Sequence, residues 1–471
     1  MDKEHTLPQN KMAVTGVGKL IWKMGLPMIL SMVLQAVYNI VDTAFVINMG
    51  EGGVVGNLAL TYAFPIQLLI IAIGVGTGVG INALLSKSLG ENDSEKCNNV
   101  AGNGIFLGLC IYAIFLIFGI FASQPFISMQ SGGDTLVAKE GAGYLKICCC
   151  LSFGAIGFTI YERFLQSTGK TAFSTIAQVT GALVNVALDY VFIYPLNMGV
   201  EGAAWATVIG QITSLVVAML FHYFANREIG GSIKYIKPSL KLIGEIYHVG
   251  FSAAIMQGLL SVMMLGVNLI LGSVKTNAAL LQGSFGIYYK IMQFAMFACF
   301  GLSNTIITAL SFNYGTQNKG RSVDCIKWGI IDSVIVTLVI TALFEGFAQP
   351  LAQLFGMASG ESGEEITAVV VTAIRIASIG YVFMGVSIAI QGVLQALRYS
   401  LYPLIISALR LVVLVFPLIG LFALSDSVQT VLWWAFPIAE VITAVLSVII
   451  CKRVYDKKIK VMGGNTADGE T

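Results

Sequence analysis

Apolar stretches near the ~20 residues needed to cross the hydrocarbon of a bilayer recur from one end of this chain to the other. Twelve can be counted, starting near residues 21, 54, 98, 138, 172, 200, 248, 277, 325, 367, 401 and 429. The run from Ile105 to Phe121 carries no charge at all. Inside a membrane only helices and closed barrels satisfy their own backbone polar groups, and runs of this length read as helices. Only 11% of the 471 residues are charged, against about 25% in a soluble protein, and the mean hydropathy is +0.82. The expected fold class is an all-α membrane protein of twelve transmembrane helices, with no room for a sizeable soluble domain. A polar tail precedes the first segment, which runs past Asp42, so a cleaved signal peptide is not expected.

Lysine and arginine set the orientation. With a cytoplasmic N-terminus, 21 of the 27 basic residues fall on the inside, in clusters such as Lys19 and Lys23, Arg227 to Lys241, and Lys452 to Lys460. The outside loops then hold only Lys139 and Lys275. A multi-pass protein of the cell (inner) membrane with both termini cytoplasmic is expected. These basic residues flank spans and face the lipid surface; the net charge of +2 says nothing about nucleic acid, and no nucleic-acid partner is expected. The eight cysteines sit mostly inside spans, as in Cys148 to Cys150, which suits apolar filling rather than a disulfide framework or a zinc site.

The second half repeats the first. At a shift of 225, Gly25 falls on Gly250 and Gly90 on Gly315; at 229, Leu165–Gln166 falls on Leu394–Gln395 and Trp205–Ala206 on Trp434–Ala435. Six helices per repeat make the halves parallel, related by an axis along the membrane normal. The expected layout is an N-lobe over 1–224, a cytoplasmic linker over 225–244, a C-lobe over 245–452 and a tail over 453–471. Two such lobes are expected to enclose a central cavity and rock about it.

Charge inside hydrocarbon is costly and marks function. The first-half spans hold Asp42, Glu162 and Asp189, where the repeat has Val267, Gln391 and Leu418. On the first helix, Gln35, Tyr38, Asn39 and Asp42 follow at i, i+3, i+4 and i+7, one polar stripe on one face. The repeat replaces them by Leu260, Met263, Met264 and Val267, so the scaffold does not need the stripe. On the fifth helix, Gln178, Asn185 and Asp189 share a face, and their counterparts are Ser407, Leu414 and Leu418. Two carboxylates in one lobe, each with an amide nearby, can share a proton or hold one Na⁺; interhelical hydrogen bonding alone is the simpler alternative. An ion-coupled transporter with its coupling site in the first half is the expectation.

Other features have two readings. Glu162 ends the fourth helix beside Arg163, either in a solvated salt bridge at the cytoplasmic rim or facing a cationic substrate from deeper in the span. Asp332, Glu345 and Glu440 read as lobe-internal partners of Arg410, Arg375 or Lys290. Gly74, Gly76, Gly78 and Gly80 lack the Gly-Lys-Ser/Thr of a phosphate loop and read as a close helix crossing. Met263 and Met292, within a methionine-rich stretch, either line a promiscuous pocket or simply pack. Neither HExxH nor clustered histidine is present, so no enzyme is expected.

These features together resemble the multidrug and toxic compound extrusion (MATE) family of secondary antiporters. The resemblance spans the whole chain. Its motifs are Leu26–Pro27 leading to Val41–Asp42–Thr43, Leu165–Gln166–Ser167–Thr168–Gly169, Asn185 through Asp189, and Met198–Gly199–Val200–Glu201–Gly202–Ala203–Ala204 followed by Ala206–Thr207. It implies, as in the DinF-like prokaryotic branch, a cation site in the N-lobe at Asp42, Tyr144, Asn185, Asp189 and Thr207. Asp42, Asn185, Asp189 and Thr207 would be the metal ligands if the ion is Na⁺. The NorM-like branch carries its acids in the C-lobe, where this chain has Gln257 and Arg375. Glu162 with Asp189 resembles the acidic pair of the MepA-like group, thought to meet cationic drugs. The implied function is export of cationic or amphipathic small molecules by alternating access, as a monomer, with H⁺ and/or Na⁺ as coupling ion and no other cofactor. Candidate substrate contacts are Gln35, Tyr38, Asn39, Glu162, Gln178, Met263 and Met292. Alternatives within the superfamily are a lipid-linked oligosaccharide flippase and an organic-anion exporter.

Overall fold

The protein, seen here as a computed structural model, is described over residues 10–49, 52–131, 134–230, 235–274, 277–356 and 363–462. Helices dominate these residues. Ten are long and apolar enough to span a membrane. In chain order the spans are α1 (Val17–Ile47), α2 (Gly53–Gly90), α3 (Ser94–Phe121), α4, α5 (Thr171–Ile193), α6 (Gly199–Ala225), α7 (Leu240–Gly272), α8 (Ala278–Gly315), α9 (Lys319–Gly346), α10, α11 (Leu401–Phe422) and α12 (Val428–Lys458). The two remaining spans are bent pairs. α4 comprises α4a (Thr135–Cys150) and α4b (Phe153–Ser167), bent by 41°; α10 comprises α10a (Gly363–Ser378) and α10b (Tyr381–Ala396), bent by 54°. Twelve spans result, starting within about eight residues of the expected places. The largest offset is at α7, which begins at Leu240 and so takes Glu245 and part of the expected linker into its first turns.

The backbone carries the repeat as clearly as the side chains do. After α2 ends at Gly90, Asn92 turns the chain in the left-handed region at φ 57°, and Asp93 then caps α3 by accepting from Lys96 N at 2.9 Å. At a shift of 225, Gln317 has φ 56° and Asn318 caps α9 by accepting from Arg321 N at 3.0 Å. A side-chain oxygen at this position satisfies a backbone N–H the helix leaves free. The turn after α4b uses Gly169 at φ 78°, and its counterpart after α10b is Arg398 at φ 64°.

The chain forms two compact units, but these are not the two repeat halves. Leu30–Ala254, with the segment ending at Thr15, makes one; Ile255–Thr471 together with Gly16–Ile29 makes the other. The expected boundaries at 224 and 245 therefore do not bound the units: the first half of α1 packs with the later helices, and the first half of α7 with the earlier ones. Close glycine crossings are the cause. A Cβ on Gly76 would stand 2.7 Å from the Gly250 carbonyl, and one on Gly80 only 2.1 Å from that of Ile246, so α2 and α7 touch backbone to backbone. A Cβ on Gly301, the repeat counterpart of Gly76, would stand 2.7 Å from the Met28 carbonyl, which seats α1 on α8 in the same manner.

Each unit has its own apolar core. In the first, Leu84, Leu85, Leu145, Ile160 and Phe164 are buried together. In the second, Phe285, Tyr288, Trp433 and Phe436 pack face and edge. All eight cysteines are free.

The glycine run yields a graded prediction. Gly74 would place a Cβ 3.9 Å from its nearest neighbour, an ordinary contact, whereas Gly80 would drive one into a carbonyl. Gly80→Ala should cost about 1–3 kcal/mol, as overpacking does, and lower the melting temperature of the purified protein. Gly74→Ala should melt with wild type. Equal melting of the two variants would show that the α2–α7 crossing is not close.

Candidate functional site

Helices α1, α2, α4a, α5 and α6 converge inside the first unit. Asn185 and Asp189 lie one turn apart on α5, 2% and 0% exposed, on the face that packs against α6. The packing is tight because small residues face each other: Gly210 of α6 lies under Asn185, and a Cβ on Gly181 would meet the Gly210 carbonyl at 2.4 Å. With α5 and α6 antiparallel, this register brings buried Thr207 to the level of Asp189. On α1, Tyr38 and Asp42 are half-buried, and the Asp42 carboxyl meets that of Asp189. Tyr144 on α4a completes the group, within electrostatic reach of Asp42 and Tyr38.

The structure thus brings together Asp42, Tyr144, Asn185, Asp189 and Thr207, the five positions expected to bind a cation. Tyr38 joins them. Gln35 is half-buried on the same helix, one turn before Tyr38. The side chain of Asn39 lies outside the described residues. Gln178, on the same face of α5, is taken up by a hydrogen bond in which the Ser31 hydroxyl of α1 donates to its Oε1.

Sequence reasoning missed several members. Gln67 of α2 donates from Nε2 to the Tyr144 hydroxyl at 2.9 Å and lies 3.7 Å from Cys148 Sγ. Its signal was available as a lone amide between Ile66 and Leu68 in an apolar helix. Ser31 precedes Gln35 by one turn and extends the polar stripe. Cys148 was read as filler, and only its (i, i+4) relation to Tyr144 marks it.

Hydrogen bonding within the cluster is uneven. Tyr144 and Gln178 have partners, but Asp42 Oδ1, both oxygens of Asp189, both polar atoms of Asn185 and Thr207 Oγ1 are buried with none. Buried polar atoms are nearly always satisfied, so this concentration is unusual. Without a proton neither carboxyl group has a hydrogen to share, so neighbouring Asp42 and Asp189 cannot satisfy each other unaided. A positive charge between them would. The acceptors here are carboxylate, amide and hydroxyl oxygens, a hard donor set suited to a proton or an alkali cation rather than a soft metal. Among the described residues no three His, Cys, Asp or Glu gather as a metal cluster.

Glu162 lies elsewhere. It is 4% exposed, so no solvated rim salt bridge forms. It does pair with Arg163, at 3.8 Å, despite their adjacency in sequence. Gln166 bridges them: its Nε2 donates to Glu162 Oε1 at 2.9 Å, and its Oε1 accepts from Arg163 Nη1 at 2.7 Å. Gly78 leaves room for the arginine stem, since a Cβ there would stand 3.1 Å from Arg163 Cγ. Met263 and Met292 are 1% and 6% exposed within the core of the second unit, where packing accounts for both. Of the three second-half acids, Glu440 takes a two-pronged contact from Arg410, Nη2 at 2.8 Å and Nε at 3.0 Å. Glu345 accepts from the Ser378 hydroxyl at 2.7 Å. Among the described residues Asp332 pairs with no cation.

Outside the spans, Lys170 after α4b and Glu228 after α6 form an ion pair at 3.7 Å, and Asn10 Nδ2 donates to Glu228 Oε2 at 3.1 Å. Partial burial pushes the Glu228 carboxyl up and the Lys170 ammonium down, and each opposes the other's shift.

Twelve spans in two repeats, with an acidic cluster inside one of them, define a multi-pass membrane transporter. The MatE family model matches the chain twice, over residues 27–191 and 252–420. The two matches begin 225 residues apart and end 229 apart, the offsets of the internal repeat. The chain belongs to the MatE family, the MATE transporters. It is 26% identical over 447 residues to the multidrug export protein MepA of Staphylococcus saprophyticus, covering 94% of this chain and 95% of that one. MepA of Staphylococcus aureus is 25% identical with the same coverage. Solved folds agree. A MATE transporter crystallised in complex with MaL6 superposes with a TM-score of 0.89 at 22% identity, covering 96% of this chain and all of that one. A MOP-superfamily transporter from Pyrococcus furiosus gives 0.87 at 21%, covering 97% and 99%.

The Glu162 pair is open to test. Glu162→Ala leaves the Arg163 guanidinium buried without its counter-charge, which should cost roughly 3–5 kcal/mol and sharply lower yield and melting temperature. Wild-type melting of that variant would show that the pair does not hold the first unit together.

Proposed function

We propose that this chain is a cation-driven antiporter that exports cationic or amphipathic small molecules, with H⁺, Na⁺ or both as the coupling ion. The observation that carries this reading is the meeting of Asp42 and Asp189 inside the first unit, amid polar atoms without partners. The repeat supports it, because Val267 and Leu418 stand at the matching positions and the scaffold tolerates apolar residues there. The printed names of the relatives, multidrug export proteins, support the substrate class.

The coupling works through differential affinity, since an ion shifts a two-state equilibrium only by as much as it prefers one state. Ion entry between Asp42 and Asp189 draws α1 and α5 together and satisfies Asn185 and Thr207. Tyr144, oriented by Gln67, supplies a further oxygen. If the ion is Na⁺, the oxygens of Asp42, Asn185, Asp189 and Thr207 bind it; if it is H⁺, one proton bridges the carboxyl groups. Substrate meets the polar stripe at Gln35, Tyr38 and Asn39, with Gln178 alongside. Glu162 is held by Arg163 and Gln166 and takes a structural part. Met263 and Met292 pack and take no part in binding. The lobes rock to expose the site alternately, in a monomer whose termini both face the cytoplasm of a cell membrane. Moving such an equilibrium from 1:99 to 99:1 requires about 5.5 kcal/mol of differential binding, so losing one carboxylate should uncouple it.

The test is ethidium efflux from cells expressing the chain, with the proton and sodium gradients collapsed separately. Efflux should stop when the coupling ion's gradient is lost. Asp42→Asn and Asp189→Asn should each reduce efflux at least tenfold at unchanged expression. Full efflux by Asp42→Asn would sink the site. No efflux by well-expressed wild type would favour an anionic or lipid-linked substrate.

A further inference from the structure

Asp332 stands midway along α9. It is 1% exposed, and both of its carboxyl oxygens are buried without a hydrogen-bond partner. Two other span acids of the second unit are provided for, Glu440 by Arg410 and Glu345 by Ser378. Asp332 is not, and α1 and α8 both pack beside it. A Cβ on Gly18 of α1 would stand 3.1 Å from the Trp328 ring, one turn before Asp332, and a Cβ on Gly329 would stand 2.7 Å from Ile306 of α8. The first half of α1 therefore lies along α9 with α8 behind. That seating brings the Trp22 indole to Asp332, within reach but short of full hydrogen-bond geometry.

Among the described residues no cation neutralises this carboxyl. On α1 the charged groups are Lys19 and Lys23, both exposed. On α8 the one titratable residue from Gly301 onward is Tyr314. α10 contributes Glu364, Glu365, Arg375 and Tyr381, and the helix Ala348–Gly356 contributes none. α9 itself carries Lys319, Arg321, Asp324, Lys327 and Glu345. None of them pairs with Asp332. A carboxylate shut in apolar surroundings without a partner is costly, and a proton removes that cost. The indole N–H bonds a charged carboxylate more strongly than a neutral acid, so the proton also sets how firmly Trp22 is held.

We propose that Asp332 is a second proton-binding site of this transporter, in its second unit, and that its protonation state is passed through Trp22 to α1, the helix that also carries Asp42. This rests on the reading of the chain as a cation-driven antiporter and takes H⁺ as a coupling ion. It adds a carboxyl site in the half that the repeat comparison leaves without a coupling acid. α1 is one continuous helix, with Trp22 near its start and Asp42 near its end, so it answers to a proton at both.

The test follows tryptophan emission of the purified full-length protein from about pH 5 to pH 9, since a carboxyl changing charge beside an indole changes its emission. Wild type and Asp42→Asn should show a step; Asp332→Asn and Trp22→Phe should not. In cells, Asp332→Asn should slow proton-driven efflux several-fold and displace its pH optimum. An emission step that persists in Asp332→Asn, or an unchanged pH profile of efflux, overturns the proposal. If Asp332→Asn does not accumulate, Trp22→Phe, in which Trp328 still reports, decides: a step of undiminished size or a wild-type pH profile overturns it. Should wild type show no proton-driven efflux, the emission step still answers for Asp332 alone, and the failure belongs to the antiport reading.

Discussion

Hydrocarbon offers polar groups nothing to bond with, and every polar side chain in these spans answers to that fact. Most answer by finding one another. Ser31 bonds Gln178, Gln67 bonds Tyr144, Gln166 joins Glu162 to Arg163, and Arg410 grips Glu440. These contacts join polar groups of the spans to one another. Asp42, Asn185, Asp189 and Thr207 are different, being buried, close together and unsatisfied. The same physical rule thus sets this group apart from the polar residues that hold the bundle, and the proposed ion site rests on that difference.

The helical plan was legible because membrane spans announce themselves by length and hydropathy, and the duplication because glycines and turn residues kept their spacing. Asn92 with Gln317, and Asp93 with Asn318, show why the register survives: the turn needs a left-handed residue and a capping oxygen, whatever else changes. The make-up of the compact units was not legible. Nothing local in Gly25 or Gly250 tells which neighbours a half-helix will choose. That choice follows from backbone contacts at Gly76, Gly80 and Gly301, which only the assembled fold displays.

Asp42, Asn185 and Asp189 were legible through comparison of the halves, since the repeat supplied an internal control. Tyr144 and Thr207 carry no such signal: a tyrosine or threonine in a span is commonplace, and only family resemblance pointed to them. Gln67 was visible as a lone amide but had no partner in sequence to give it meaning. Glu162 was ambiguous because pair rules on a helix consider two residues at a time. Gln166, one turn on, makes Glu162 and Arg163 into a triad that those rules do not describe. The methionines illustrate the opposite limit: composition cannot tell a flexible surface from a core, and burial decides.

The exchange of half-helices bears on how the chain is made. Gly16–Ile29 leaves the ribosome early but completes a unit whose other members begin at Ile255, so it must wait, unpartnered, for more than two hundred residues of synthesis. The first unit in turn lacks a wall until α7 has been inserted. Neither repeat can finish folding as it is made, and the two must be closed as one act, late in translation. A nascent chain halted after α6 would present the crossing face of Gly76 and Gly80 uncovered in the bilayer, a form that membrane quality control could recognise.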